Sequence, residues 1–341
     1  PEFLAGVEEL VKLIPLQTFS FGSCTPSSEE FRQLCQSPHL QRLNTLDMSQ
    51  RFWNDEVFSA LARSPYTSNI RKLDLSGTNL EPKRVRALLS SSSLNSLGYL
   101  LLSCNPLGNA GIEELANFQH FAKIKTLQLV SCQITAGGLA PFARASEKQS
   151  MQQLFLSANA LDWTDMTTLA KSKGMENIWN LTLGNNPLGM KGVGVLVESK
   201  SLQALKSLNL NSTKMTDEGL ERLGHTPNFP LLQQLSIANN NLTDRGFLNF
   251  LKTANFPNLT ELNAGSNTLG PKSISALVAA PWCRKLHSLL LVNNPLGNEG
   301  AEIILSTSNL ENITSLFISK CGISRANKNS LSIKFGERVL V

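Results

Sequence analysis

From Leu16 onward the chain repeats a block of the form LxxLxLxxNxL every 27 residues, twelve times, with no insertion or deletion. The blocks open at Leu16, Leu43, Ile70, Leu97, Ile124, Met151, Ile178, Leu205, Leu232, Leu259, Leu286 and Ile313. One repeat of that size cannot bury its own apolar side, so it must stack on its neighbours. Although 341 residues would suggest two domains in an ordinary globular chain, a stack counts as one elongated domain. Twelve repeats over residues 16–323 are therefore expected. Residues 1–15 precede them, with Pro1-Glu2-Phe3 resembling a cloning scar and Leu4, Val7, Val11 and Ile14 on one face of a capping helix. Residues 324–341 read as a C-terminal cap or a truncated tail.

Position within the repeat assigns each residue its work. Around Leu181 and Leu183, apolar and polar residues alternate, the periodicity of a strand with one buried face. Position 4 is Leu in eleven repeats and Phe19 in the first, which predicts an apolar spine beneath a parallel sheet. Position 9 is Asn105, Asn159, Asn186, Asn240, Asn267 or Asn294, and elsewhere Cys24, Arg51, Thr78, Cys132, Thr213 or Cys321. There the chain leaves the strand, and an amide both donates to and accepts from buried backbone groups. Asn185, one residue earlier than Asn186, is expected to face solvent and tolerate an apolar change. Gly near position 15, with apolar residues at 16 and 19 as in Leu220 and Leu223, predicts a helix capped by an Asp, Asn or Thr start.

These columns resemble the leucine-rich repeat family, in the branch with a helix in every repeat, similar to ribonuclease inhibitor. The resemblance covers residues 16–323. It implies an α/β fold, a curved leucine-rich repeat solenoid with the parallel sheet on the concave side and helices on the convex side. It also implies a partner protein held on the concave face. The uniform period, with Ser37-Pro38 and Ser64-Pro65 after helices, is similar to that of bacterial repeat proteins and secreted effectors. That likeness would place the protein in the cytosol of a host cell.

Charge narrows the partner. A net +5, from 31 Lys and Arg against 26 Asp and Glu, is mild for so large a surface. At strand phases only Arg71, Lys72, Lys125, Lys206 and Lys320 face the concavity, so no phosphate-binding groove and no nucleic-acid partner are expected. Lys83-Arg84-Arg86 opens a convex helix and reads as a solvated face. Cys24, Cys132 and Cys321 read as buried thiols, while Cys35, Cys104 and Cys283 show no paired spacing, which favours a reducing, cytoplasmic setting. No apolar run is long enough to span a membrane.

Catalysis finds little support, and no cofactor or metal site is expected. His39, His120, His225 and His287 lack in-phase ligand partners and read as surface residues. The segment from Gly265 to Ser273 nearly spells a phosphate loop, but Pro271 interrupts the Gly-Lys pair. Asp47 and Asp74 share position 5 in adjacent repeats; two such carboxylates could do acid–base work, yet Arg71 and Lys72 lie alongside and no cleft excludes water. They read as a charge network or a docking point for a basic partner. Arg51 in the ladder column, followed by Phe52 and Trp53, and Ala264 in a column of large apolar residues depart from the pattern.

The concave phases are mostly Ser, Thr, Asn, Gln and Gly, and the exceptions gather. Tyr99, Leu101, Val130, Phe155 and Trp179 fall in four consecutive repeats, where aromatic anchors predict a partner-binding patch. Asp47 and Asp74 join them as candidate contacts. Leu290, Val292 and Phe317 form a second group, expected to be covered by the C-terminal tail. The sequence thus predicts a non-enzymatic protein-interaction module. The other readings are a substrate-targeting arm of a ubiquitin ligase or other enzyme whose catalytic domain lies beyond this chain, and a carbohydrate-binding solenoid.

Overall fold

A computed structural model describes residues 17–22, 26–145 and 151–340. The expected helix over Leu4–Ile14, Leu16 and the ladder residue Cys24 lie outside the described residues. The chain forms two compact bodies: the first runs to Asn159 and includes Ser172–Met175, and the second comprises Ala160–Lys171 and Glu176–Val341.

In the first body the strands are β1 (Thr18–Ser20), β2 (Thr45–Asp47), β3 (Lys72–Asp74), β4 (Tyr99–Leu101), β5 (Thr126–Gln128) and β6 (Gln153–Phe155). The second holds β7 (Asn180–Thr182), β8 (Ser207–Asn209), β9 (Gln234–Ser236), β10 (Glu261–Asn263), β11 (Ser288–Leu290), β12 (Ser315–Phe317) and β13 (Val339–Leu340). Strands β1 to β12 occupy positions 3 to 5 of their repeats. Within each body, neighbours pair in parallel between residues 27 apart, as in Leu46↔Leu73 and Leu181↔Leu208. The tail differs, since Leu316 pairs with Val339 and Phe317 with Leu340 after a shorter connection. It adds a strand beside Phe317, and Leu290, Val292 and Phe317 are half-buried.

Position 4 is buried in every strand from β2 to β12, whereas positions 3 and 5 are mostly more exposed, so each sheet has one packed and one open face. The helices supply the packed side. They are α1 (Ser28–Gln36), α2 (Asp55–Arg63), α3 (Pro82–Leu89), α4 (Gly108–Ala116) and α5 (Ala140–Ala145) in the first body. The second has α6 (Trp163–Lys171), α7 (Gly189–Val197), α8 (Thr216–His225), α9 (Asp244–Thr253), α10 (Pro271–Ala279), α11 (Gly297–Ser306) and α12 (Arg325–Phe335).

Their starts match the expected Asp, Asn or Thr side-chain cap only in part. Ser27, Asn54, Thr243 and Ser324 do cap α1, α2, α9 and α12. Helices α4, α7 and α11 instead begin at Gly108, Gly189 and Gly297, each with positive φ, and each glycine N–H donates to the position-9 carbonyl of the next repeat. A further device joins the repeats. Asp217 accepts from the Thr243 N–H and hydroxyl, and Asp244 accepts from Gly270 N and the Ser273 hydroxyl. One repeat's carboxylate thereby caps the next repeat's helix.

Position 8 is the second correction. Gln50, Cys104, Ser131, Ala158, Asn185, Ser212, Asn239, Ser266, Asn293 and Lys320 all have φ between 53° and 59°. Gly77 occupies the same phase at φ 64°. This left-handed residue swings the chain from strand toward helix, so replacing Asn185 by a bulky apolar residue would be strained rather than neutral.

The position-9 amide answers the turn. Asn105 Oδ1 accepts from Thr78 N and Leu80 N of the preceding repeat at 3.0 and 2.8 Å, while its Nδ2 donates to Leu75 O and Leu102 O at 2.7 and 2.8 Å. Asn240, Asn267 and Asn294 repeat the pattern in the second body. The substitutes keep parts of it. Thr78 and Thr213 donate to the carbonyl three residues back, and the thiols of Cys132 and Cys321 reach the preceding repeat, at Leu102 O and Leu291 O. Burial pushes the Cys132 thiol up to about 12. In the repeat that carries Arg51 two side chains divide the task. The Arg51 guanidinium donates to Gly22 O, and the buried Trp53 indole donates to Met48 O at 2.8 Å. Arg51 is therefore neither thrown out to solvent nor left buried without a partner. Ala264 is fully buried.

Asn240→Leu should remove the side chain's bonds from Thr213 N and Met215 N and to Leu210 O and Ile237 O, and cost roughly 1–3 kcal/mol or more. Asn240→Thr, whose hydroxyl can keep the bond to Ile237 O, should lose less. Urea titrations of both variants check this; a common midpoint for the two, or a wild-type midpoint for Asn240→Leu, would contradict the ladder.

His120 was expected at the surface and is half-buried, packed edge-to-face on Phe118, with its Nε2 buried and without a hydrogen-bond partner among the described residues. Burial, helped by Lys123 and opposed by a Ser92 backbone hydrogen bond, moves its pKa below 6.5. The unfolded chain therefore takes up this proton first. Its contribution to stability is present above about pH 6.5 and is lost as pH falls toward and through the folded value. The urea midpoint should be lower at about pH 5 than at about pH 7.5, and His120→Phe should shrink that difference. An unchanged difference would assign the pH dependence to other groups.

Candidate interaction surface

Strand periodicity places the candidate residues on the open faces. In the first body, position 5 reads Asp47, Asp74, Leu101, Gln128, Phe155 across β2 to β6. Position 3 reads Thr45, Lys72, Tyr99, Thr126, Gln153 across the same strands. The structure thus brings Tyr99, Leu101, Phe155, Asp47 and Asp74 onto one sheet face, with Val130 just beyond β5. The apolar members are not contiguous along a row, because Gln128 separates Leu101 from Phe155. Tyr99 is 43% exposed, whereas Leu101, Val130 and Phe155 are half-buried. Trp179 belongs to the second body, where it is 36% exposed just before β7 and its carbonyl accepts from Lys206 N and Ser207 N.

A shallow groove of about 430 Å³ runs over this face between Arg71 and Gln153, with Lys72, Tyr99 and Leu101 on its walls. Thr126 lines it as well, is only 6% exposed, and its hydroxyl has no hydrogen-bond partner among the described residues. Sequence reasoning missed Thr126 because Thr at position 3 is unremarkable; Thr18 and Thr45 share the phase. Arg71 and Lys72 are exposed and enter no ion pair among the described residues.

The two aspartates have internal work. Asp47 Oδ1 accepts from Ser49 N at 3.0 Å and its Oδ2 from the Ser20 hydroxyl at 2.9 Å; Asp74 Oδ1 accepts from Ser76 N at 2.9 Å. Burial opposes ionisation of Asp47, but the bonds from Ser49 and Ser20 and the charge of Lys72 hold its carboxyl below the usual value. An ionised, hydrogen-bonded carboxylate of this kind supports the turn after the strand and is a poor proton donor.

Elsewhere the chemistry is structural. Lys83 and Arg84 pair with Asp55 at 2.6 and 2.8 Å, and Arg86 with Glu114 at 2.5 Å, so the basic cluster on α3 is spent on neighbouring helices. At the near-phosphate loop, Asp244 occupies the start of α10 where an anion would sit. Among the described residues there is no group of three or more His, Cys, Asp or Glu that could hold a metal. No described helix is long and apolar enough to cross a membrane.

The model of the leucine rich repeat matches residues 122–143 and 201–224. No curated protein sequence matches the chain. Among solved structures it is similar to an internalin (inlF) from Listeria monocytogenes, at 20% identity over 97% of this chain and 92% of that chain, with a TM-score of 0.55. At that identity the likeness is one of fold. The repeat matches, the parallel strands in sequence order within each body and this likeness together identify the fold as a leucine-rich repeat solenoid of the α/β class.

Proposed function

We propose that this leucine-rich repeat protein is a non-enzymatic interaction module that holds a partner protein on the open sheet face of its first body, the face expected to be concave. The observation that carries the reading is the placement of Tyr99, Leu101, Val130 and Phe155 on the solvated side of a sheet whose other outward residues are polar or charged. Packing within the repeat does not require them there, and aromatic side chains with polar surroundings are the usual anchors of interfaces. Asp47 and Asp74 form the acidic margin of the same face, so a docked partner meets apolar and charged surface together. Trp179 would be a separate contact on the second body. The regular period and the Ser-Pro steps support an effector working in a host cytosol. A targeting arm joined to an enzyme would use the same face.

The test begins with capture of a partner from eukaryotic lysate and its identification by mass spectrometry. In the isolated complex, the exposed Lys72 and Lys125 of the open face should be shielded from amine acylation, and Lys83 on the helical side should not. By calorimetry, Tyr99→Ser with Phe155→Ser should weaken the complex by about 2 kcal/mol or more while the circular dichroism and Tm stay near wild type. Unchanged affinity, or shielding of Lys83 in place of Lys72, would remove this face from the interface.

A further inference from the structure

The groove on the first body's open face combines a cationic margin, an apolar wall and a buried hydroxyl without a partner, and no carboxylate lines it. Arg71 and Lys72 line the groove; beside it the position-2 row continues from Arg71 through Gly98 to Lys125, which is exposed like Arg71 and directly precedes the lining residue Thr126. A Cβ on Gly98 would meet only backbone oxygens, at 3.9 and 4.0 Å, so the glycine leaves an open saddle between two cations. At sheet spacing those cations lie on strands about 10 Å apart, a separation that side-chain carboxylates of a short extended segment can bridge. Lys72 adds a third positive charge beside Tyr99.

Asp47 and Asp74 sit at position 5, two or three residues further along their strands. Roughly 7–10 Å of separation, comparable to the screening length at physiological salt, leaves the position-2 margin net attractive to an anion. Thr126 is the independent sign of an occupant. Its hydroxyl lies beneath the groove beside Tyr99 in register, with no hydrogen-bond partner among the described residues. With a turn of the side chain toward the groove, the carbonyls and N–H groups of a bound peptide would supply one.

We propose that the groove recognises an acidic peptide segment of the partner: carboxylates at Arg71 and Lys125 across Gly98, and an apolar side chain against Tyr99 and Leu101. This rests on the reading that the open face of the first body binds protein. Three cations on a rigid sheet set the orientation of the segment and steer its approach, while the apolar wall supplies most of the hold.

The experiment is selection of phage-displayed random dodecapeptides on the whole chain, followed by fluorescence anisotropy with synthetic copies of the enriched sequences. Enriched peptides should carry Asp or Glu beside an aromatic residue or Leu. Arg71→Gln with Lys125→Gln should weaken them about tenfold or more, most strongly at low salt. Thr126→Val should also weaken them with an unchanged circular dichroism spectrum. Neutral or basic peptides that still depend on Tyr99 and Leu101, tested as Tyr99→Ser with Leu101→Ser, would overturn the acidic specificity and leave the face standing. Peptides indifferent to both pairs would overturn the specificity and the face together. Absence of enrichment, or displacement of the peptide by an oligothymidine, would overturn the proposal.

Discussion

Each described repeat turns from strand toward helix through a left-handed residue at position 8, and that turn leaves backbone N–H and C=O groups inside the stack. The rest of the structure depends on how they are satisfied. Asn105 accepts from two amides of the preceding repeat and donates to a carbonyl of that repeat and to carbonyls of its own. A buried amide or carbonyl without a partner costs about 1–3 kcal/mol, so the column can neither be skipped nor slip by a residue. This is why the period tolerates no insertion: shifting one repeat would break contacts on both sides. The substitutes show which contacts matter. Thr keeps the bond within its own repeat, Cys keeps a bond to the repeat before, and Arg51 with Trp53 keep one of each.

That constraint also makes the open face possible. With positions 4, 6 and 9 committed to the interior, positions 2, 3 and 5 lie mostly on the open side, and the fixed register sets their side chains in straight rows. Arg71, Gly98 and Lys125 form one such row and Lys72, Tyr99 and Thr126 another. Surface chemistry can change in these rows without touching the spine. The same fold is shared by proteins of very different sequence, such as the internalin at 20% identity, because the interior columns, not the rows, define it.

Periodicity made the columns legible. Leucine at position 4 and asparagine at position 9 announce their burial because their chemistry at that spacing has one physical use. The left-handed turn was not legible: Gln50, Cys104, Ala158 and Lys320 share a conformation but no residue type that would signal it. The arrangement around Arg51 was also hidden, since Trp53 reads as a bulky neighbour until its indole is seen on the Met48 carbonyl. Tyr99, Leu101, Phe155, Asp47 and Asp74 could be assigned to one face by counting, but counting could not show that Gln128 interrupts the apolar row, that the aspartates are engaged by Ser49 and Ser76, or that Thr126 is left without a partner. Those facts depend on side-chain reach between repeats, which a period does not encode. The paired cap of Asp217 on Thr243 was open to sequence reasoning, as Asp at position 13 recurs beside a polar position 12.

Hydrogen exchange at two amides tests the central claim most directly. Thr78 N and Leu80 N lie in a connection between strand and helix, where an unsupported turn would exchange quickly, yet both donate to Asn105 Oδ1. If the side-chain ladder holds the stack, they should be as protected as the strand amide of Leu73, and all three should open together as denaturant is added. Exchange of Thr78 and Leu80 at the rate of an exposed loop, with Leu73 still protected, would show that the stack stands without its ladder.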